Sequence, residues 1–164
     1  VGYYAIIECG WSRRGPHTLR RYDVTFGQLK AHEVSEPVTQ GEWHLHHGVN
    51  GQWAASYLSS VEAGHVISHD RTFDVWVLDD MPLSLRDCGV EHDVWRSEYL
   101  GRVEITAPGP DHLTTLREQA GVVDPDPDGD ALSFRAFGQR GAGVPATHEW
   151  TMQVRRTQIE KPRR

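Results

Sequence analysis

Apolar and polar residues alternate along most of this sequence, which is the pattern of β-strands that bury one face. Tyr22, Val24 and Phe26, for example, are separated by Asp23 and Thr25. Segments that alternate in this way, or that form short apolar runs between turn residues, lie at 3–9, 22–26, 42–47, 53–57, 73–77, 83–91, 100–105, 132–137 and 150–159. Turn residues separate them at intervals of roughly 8–12 residues, which is typical of a sandwich or barrel rather than of βαβ units.

Two local signals sharpen this prediction. Asn50-Gly51 lies between two alternating segments, and both residue types tolerate the positive φ angles of a tight hairpin turn. A helix is predicted near residues 111–120, because Asp111 can cap its start and Gly121 can end it. The sequence therefore predicts an all-β fold, namely an antiparallel, jelly-roll-like β-sandwich with one short helix.

The length and net charge of the chain limit the number of domains and the kinds of partner. The chain of 164 residues fits a single β-sandwich domain, 1–164, in which residues 155–164 form a basic strand end and tail. The net charge of −6 argues against a nucleic-acid partner, because such proteins carry a basic surface. No apolar run reaches the length of a transmembrane segment. Fifteen Arg against two Lys indicate a GC-rich coding bias, which favours a bacterial or phage origin.

The spacing of acidic residues suggests a metal site. Glu91 and Asp93 are two apart, so at the end of a strand they project to the same side, and Glu98 follows after a short loop. A second acidic pair, Glu36 and Glu42, flanks a turn before another strand. Carboxylates held together repel one another, and a hard divalent cation relieves that repulsion. Calcium is the predicted ion, since it accepts six to eight oxygen ligands in irregular loops.

These acids resemble the calcium loops of C2 domains, the calcium- and phospholipid-binding β-sandwiches of protein kinase C and synaptotagmin. The spacing of that family's third loop is matched by Glu91, Asp93, Glu98, Leu100 and Gly101, and its first loop is resembled by Glu36, Glu42 and Trp43. The resemblance covers about residues 22–105. It implies that the five acids bind calcium and that Val94 and Trp95, at the tip of the third loop, contact a membrane or partner.

The sequence also departs from the C2 pattern. Four of the five predicted ligands are Glu, where the family usually has Asp. Asp87 and Gly89 occupy a predicted strand at positions where apolar residues are expected.

A third acidic cluster, Asp124, Asp126 and Asp128, forms an alternating ladder that ends in Gly129. This pattern opens many calcium loops, but an EF-hand needs Glu at the twelfth position, where this sequence has Arg135. The ladder is therefore a possible second metal loop or, equally, a solvated acidic loop stiffened by prolines.

The ten histidines include a dense group, His44, His46 and His47. His44 and His46 share a strand face, so they could chelate zinc or nickel if a third ligand were available. The preferred interpretation is that these are exposed strand histidines beside a hairpin.

Three functions fit these observations. The first is a non-enzymatic, calcium-dependent binding module that recognises a lipid, glycan or protein partner. The second is a metal-independent interaction or structural protein of the capsid, tail, immunity or accessory type, for which an oligomer is possible. The third is a small β-barrel enzyme with an aromatic-lined pocket. No sequence motif of nucleophilic catalysis supports this third function, so the prediction leans away from an enzyme.

Overall fold

The alternating segments form the strands of two sheets in a computed structural model that describes residues 17–32, 41–92, 97–125 and 129–161. Within these ranges the elements are β1 Leu19–Ala31, β2 Gly41–Val49, β3 Gln52–Val61, β4 Val66–Leu78, β5 Leu83–His92, β6 Ser97–Ala107, α1 His112–Gln119, β7 Gly121–Pro125, β8 Ala131–Gly138 and β9 His148–Glu160. The strand predicted at 3–9 lies outside the described residues. Of the basic segment 155–164, the first six residues belong to β9.

The two sheets pack face to face as a sandwich. One has five strands in the order β4-β1-β9-β8-β7 and the other has four in the order β3-β2-β5-β6, and all neighbouring strands are antiparallel. The predicted antiparallel β-sandwich is therefore confirmed. The described strands form two open sheets and no closed barrel, so the barrel architecture of the third function is wrong for this part of the chain.

Alternation along each strand places the apolar residues between the sheets. The largest fully buried side chains are Trp43, Trp150, Tyr22, Phe26, Phe134, Leu29, Leu45, Leu83, Leu85, Leu100, Leu113 and Leu116. Gly89 faces this core at a point where the neighbouring leucines leave no room. A Cβ atom added to Gly89 would lie 2.6 Å from Leu45 Cδ2 and 3.1 Å from Leu100 Cδ1. The departure from the apolar pattern at Gly89 is thus a consequence of close packing between leucines.

Asp87 departs from the apolar pattern for a different reason. Its carboxylate is buried and accepts hydrogen bonds from Val103 N at 2.6 Å, from His148 Nε2 at 2.7 Å and from the indole nitrogen of Trp150. Asp87 belongs to β5 of the four-stranded sheet, whereas His148 and Trp150 belong to β9 of the five-stranded sheet. The carboxylate therefore joins the two sheets through polar contacts inside an apolar core.

The predicted helix is α1. Asp111 caps it by accepting hydrogen bonds from the backbone N–H and the hydroxyl of Thr114. His112 fixes the helix to the core, because its Nε2 donates to Met81 O at 2.7 Å while Nδ1 accepts from the Tyr22 hydroxyl at 2.9 Å. The structure contains no described helix long and apolar enough to cross a membrane.

Candidate functional site

Two of the segments with predicted calcium ligands adjoin strands β2 and β5 of the four-stranded sheet in the sequence. The first, residues 33–40, leads into β2, and the second, residues 93–96, follows β5. β2 and β5 are hydrogen-bonded neighbours, and their register places Glu42 opposite His92. We call this end of the four-stranded sheet, with residues 41–42, 91–92 and 97–98, the acidic end.

Glu91 and Glu98 face each other across the β5–β6 pair, so their side chains share one face of the sheet. Glu91 is directed inward beside Trp43 and is only 3% exposed, whereas Glu98 is partly exposed. Glu98 Oε2 lies 3.8 Å from the guanidinium of Arg140, which belongs to the loop between β8 and β9. The described part of the acidic end therefore contains a carboxylate pair with a basic residue at its margin.

Glu42 lies on the opposite face of the same sheet. Its neighbour Trp43 is buried, so Glu42 points outward, where it accepts a hydrogen bond from the Tyr57 hydroxyl. This bond raises the pKa of Tyr57. The structure thus brings Glu91 and Glu98 together and separates Glu42 from them.

Several predicted site residues lie outside the described residues: Glu36, Asp93, Val94, Trp95, Asp126 and Asp128. The remaining member of the Asp ladder, Asp124, is in β7, where its backbone pairs with Ser133 of β8. Calcium binding by either predicted set stays a prediction.

The histidines of β2 divide between the two faces of the four-stranded sheet. His44 and His46 are on the outer face, as predicted, but His47 is fully buried, so the interpretation of all three as exposed residues is wrong for His47. The reason is the period of the strand, which places His47 on the same face as Trp43 and Leu45.

His47 sits in an aromatic environment between the sheets. Its ring centroid is 5.0 Å from that of Phe26 and 5.5 Å from that of Trp150, and its Nε2 shares a hydrogen bond of 2.9 Å with Nε2 of His69. Burial, together with a smaller effect of the neighbouring His69, lowers the pKa of His47 to about 4. His47 is therefore a neutral core residue at physiological pH.

A cluster that the sequence did not predict lies at the other end of the sandwich. His17 Nδ1 is 3.0 Å from Asp79 Oδ1, and His17 Nε2 is 3.8 Å from Asp80 Oδ2. Asp79 also accepts a hydrogen bond from Thr18 N at 3.2 Å. Among the described residues, this is the one group of three acidic or histidine side chains whose ligand atoms lie within 4.8 Å of one another. The sequence did not indicate this cluster because about sixty residues separate His17 from Asp79.

Three large aromatic side chains are exposed on β3 and β6 of the four-stranded sheet. Trp53, Tyr57 and Tyr99 are 52%, 55% and 44% exposed. Tyr57 and Tyr99 both belong to the outer face, as their partners His44 and Val90 show. This sheet therefore presents aromatic and histidine side chains to solvent.

Comparison with solved structures identifies the fold. Human GIVD cytosolic phospholipase A2 has a TM-score of 0.54 and 11% identity over 90% of this chain. The two-C2-domain structure of Extended-Synaptotagmin 2 has a TM-score of 0.53 and 11% identity over 87% of the chain. A C2 domain of plant Extended Synaptotagmin 1 has a TM-score of 0.52 and 8% identity over 82% of the chain. The fold is a divergent C2-like β-sandwich.

The C2-like chain spans 18% of the phospholipase, 44% of the Extended-Synaptotagmin 2 structure and 92% of the plant domain. The sequence matches no protein-family model, and no curated protein sequence resembles it significantly. The resemblance to C2 domains that the acid spacing indicated is thus confirmed at the level of the fold.

Proposed function

We propose that this C2-like chain is a non-enzymatic, calcium-dependent binding module that attaches to an anionic lipid surface through its acidic end. The observation that supports it best is the register of β2, β5 and β6, which brings the start of β2, the end of β5 and the start of β6 to one end of a C2-like sandwich. The chain has a net charge of −6, so an anionic surface repels it unless a cation intervenes. Calcium held at the acidic end supplies that bridge.

The proposed ligands are the acids of the third loop, Glu91, Asp93 and Glu98, together with Glu36 of the first loop. Glu91 and Glu98 support this set because the strand register places them side by side. Glu42 is left out because it points to the outer face of the sheet. Val94 and Trp95 lie in sequence between the acids and are proposed to contact the lipid.

Calcium titration followed by calorimetry tests the proposal directly. We expect calcium uptake by the unmodified chain, with a stabilisation of about 2.7 kcal/mol at a hundredfold excess over the dissociation constant. Asp93→Asn and Glu98→Gln should each weaken uptake, because each removes a negatively charged ligand. Glu118→Gln is the matched control, since Glu118 is exposed on α1.

Co-sedimentation with vesicles tests whether lipid is the partner and whether binding to it requires calcium. Vesicles of phosphatidylcholine with phosphatidylserine should bind the chain in calcium and release it in chelator, whereas vesicles of phosphatidylcholine alone should not bind. Calcium uptake without vesicle binding would favour a glycan or protein partner in place of the lipid. No calcium uptake at all would overturn the proposal.

A second candidate is a metal-independent interaction or structural protein that uses the outer face of the four-stranded sheet. The exposed Trp53, Tyr57 and Tyr99 favour it, because aromatic residues are enriched at the centres of interfaces. An oligomer or complex whose mass by light scattering is the same in calcium and in chelator would support this function. A monomer under both conditions would count against an oligomer.

A further inference from the structure

The outer face of the four-stranded sheet brings together three metal-ligating side chains from two strands. Glu42 and His44 are two apart on β2, so they project from the same face. His92, on β5, is directly opposite Glu42 in the antiparallel register. Directly opposed residues have Cβ atoms about 5 Å apart, which is within the span of one metal ion and its ligands.

Aromatic contacts hold these side chains against one another. The ring centroids of His44 and His92 are 4.5 Å apart, and those of His44 and Tyr57 are also 4.5 Å apart. His44 therefore lies between Tyr57 on one side and His92 on the other. The three rings form a continuous row across β3, β2 and β5.

Two hydrogen bonds orient the candidate ligands from outside. His92 Nδ1 is bonded to the Ser97 hydroxyl at 2.8 Å, which leaves Nε2 as the nitrogen that can bind a metal. The Tyr57 hydroxyl donates to the Glu42 carboxylate. Outer partners of this kind fix the orientation of metal ligands in proteins and raise their affinity.

The donor set selects the class of metal. Two imidazole nitrogens and one carboxylate suit zinc and other late first-row divalent ions, whereas calcium prefers oxygen ligands alone. Three protein ligands leave the fourth tetrahedral position to water or to a group of a bound partner.

We propose that Glu42, His44 and His92 bind a zinc-class divalent transition metal ion on the outer face of the four-stranded sheet. The site is separate from the proposed calcium site, because Glu42 and Glu91 point to opposite faces. Binding requires rotation of the side chains, since the described rotamers do not place all three ligand atoms within 4.8 Å. Glu42 and His92 are exposed and His44 partly so, which leaves room for that rotation.

Two other sets of ligands compete for the same ion, and the experiment must distinguish them. One is the cluster of His17, Asp79 and Asp80 at the opposite end of the sandwich. The other is the free thiol of Cys88, which lies directly opposite His46 on the same outer face.

Zinc titration by calorimetry in calcium-free buffer with a non-thiol reductant tests the proposal. We expect one equivalent of zinc, bound at least tenfold more weakly by His44→Gln and by His92→Gln. His65→Gln is the matched control, because His65 is exposed in the turn between β3 and β4. Circular dichroism and the melting temperature establish that each variant is folded. Cobalt substitution gives a second readout, since tetrahedral cobalt has intense visible absorption that both variants should lose.

The set of variants that lose zinc affinity distinguishes between the three candidate sites. Zinc affinity that is unchanged in both His44→Gln and His92→Gln overturns the proposal. Loss in His17→Gln alone assigns the ion to the Asp79–Asp80 cluster, and loss in Cys88→Ser alone assigns it to the thiol, so either result also overturns it. Calcium uptake measured on His44→Gln should be unchanged, which keeps this test independent of the proposed function.

Discussion

Asp87 joins the two sheets through the hydrogen bonds of its buried carboxylate. Three donors converge on its two oxygens, and the side chain is 2% exposed. Asp87→Asn leaves one oxygen for these donors and turns an amide N–H₂ group toward them. We expect a loss of about 1–3 kcal/mol in the free energy of unfolding for each buried donor that is left without an acceptor, measured by urea denaturation. Asp70→Asn, at an exposed position with φ of 50°, should change it by less than about 0.5 kcal/mol. A loss that small at Asp87 would contradict this account of the sheet contact.

Sequence alternation identified Asp87 and Gly89 as inward positions of a strand. It did not explain why a polar residue and a glycine occupy them. The partners of Asp87 in β9 lie 61 and 63 residues away, and the leucines that exclude a side chain at Gly89 come from two other strands. Strand period is a local property, whereas hydrogen-bond partners depend on how strands are ordered in the sheets. The same limit explains why His92, isolated in the sequence, contacts His44 in the structure.

Among the elements, the β2–β3 hairpin shows how a turn positions a sheet. Asn50 and Gly51 have φ angles of 46° and 84°, as the sequence predicted for a tight turn. The Asn50 side chain also accepts a hydrogen bond from Ser84 N at 2.6 Å and donates to Pro82 O at 3.1 Å, which fastens the hairpin to the start of β5.

Substitution of Asn50 separates these two roles. Asn50→Ala loses both hydrogen bonds and places a Cβ atom in a left-handed conformation, so we expect a loss of about 1–3 kcal/mol by thermal denaturation. Asn50→Gly loses the bonds but accepts the positive φ, and its loss should be smaller. Equal losses for the two variants would show that backbone strain plays no part at this turn.

Strand β7 was not predicted, and its composition explains why. Asp and Pro are depleted in strands, and the sequence Gly121–Pro125 ends in both. β7 is an edge strand that pairs only with β8, and its register shifts between Val122 and Asp124. Proline is tolerated at such edges because it need not donate a ladder hydrogen bond. The acidic pattern predicted a loop from Asp124 onward, whereas Asp124 and Pro125 form the end of β7.

At the scale of the whole molecule, the order of strands determines which predicted ligands meet. The spacing of acids along the sequence predicted ligands next to the start of β2 and the end of β5, and the strand register brings these two strand ends together. Strand period places Glu42 on the outer face, opposite to the side of Trp43 and Glu91. The acid spacing did not show that His92 lies beside Glu42, because this depends on the register of β2 against β5.

The buried histidines make the stability of the whole sandwich depend on pH. His47 lies between β1, β4 and β9, and its pKa falls from 6.5 in the unfolded chain to about 4 in the folded protein. The unfolded state therefore binds a proton below pH 6.5 that the folded state does not accept until about pH 4. Stability should be constant above pH 6.5 and should fall by up to about 1.4 kcal/mol per pH unit between these values. Burial also lowers the pKa of His69 and His112, which adds to the loss of stability with the same sign.

Urea denaturation at pH 7.5, 6.0 and 4.5 measures how steeply the stability falls with pH. His47→Phe should reduce it, whereas His65→Gln, at an exposed position, should leave it nearly unchanged. A stability that does not vary between pH 7.5 and 4.5 would contradict a lowered pKa of His47 in the folded core.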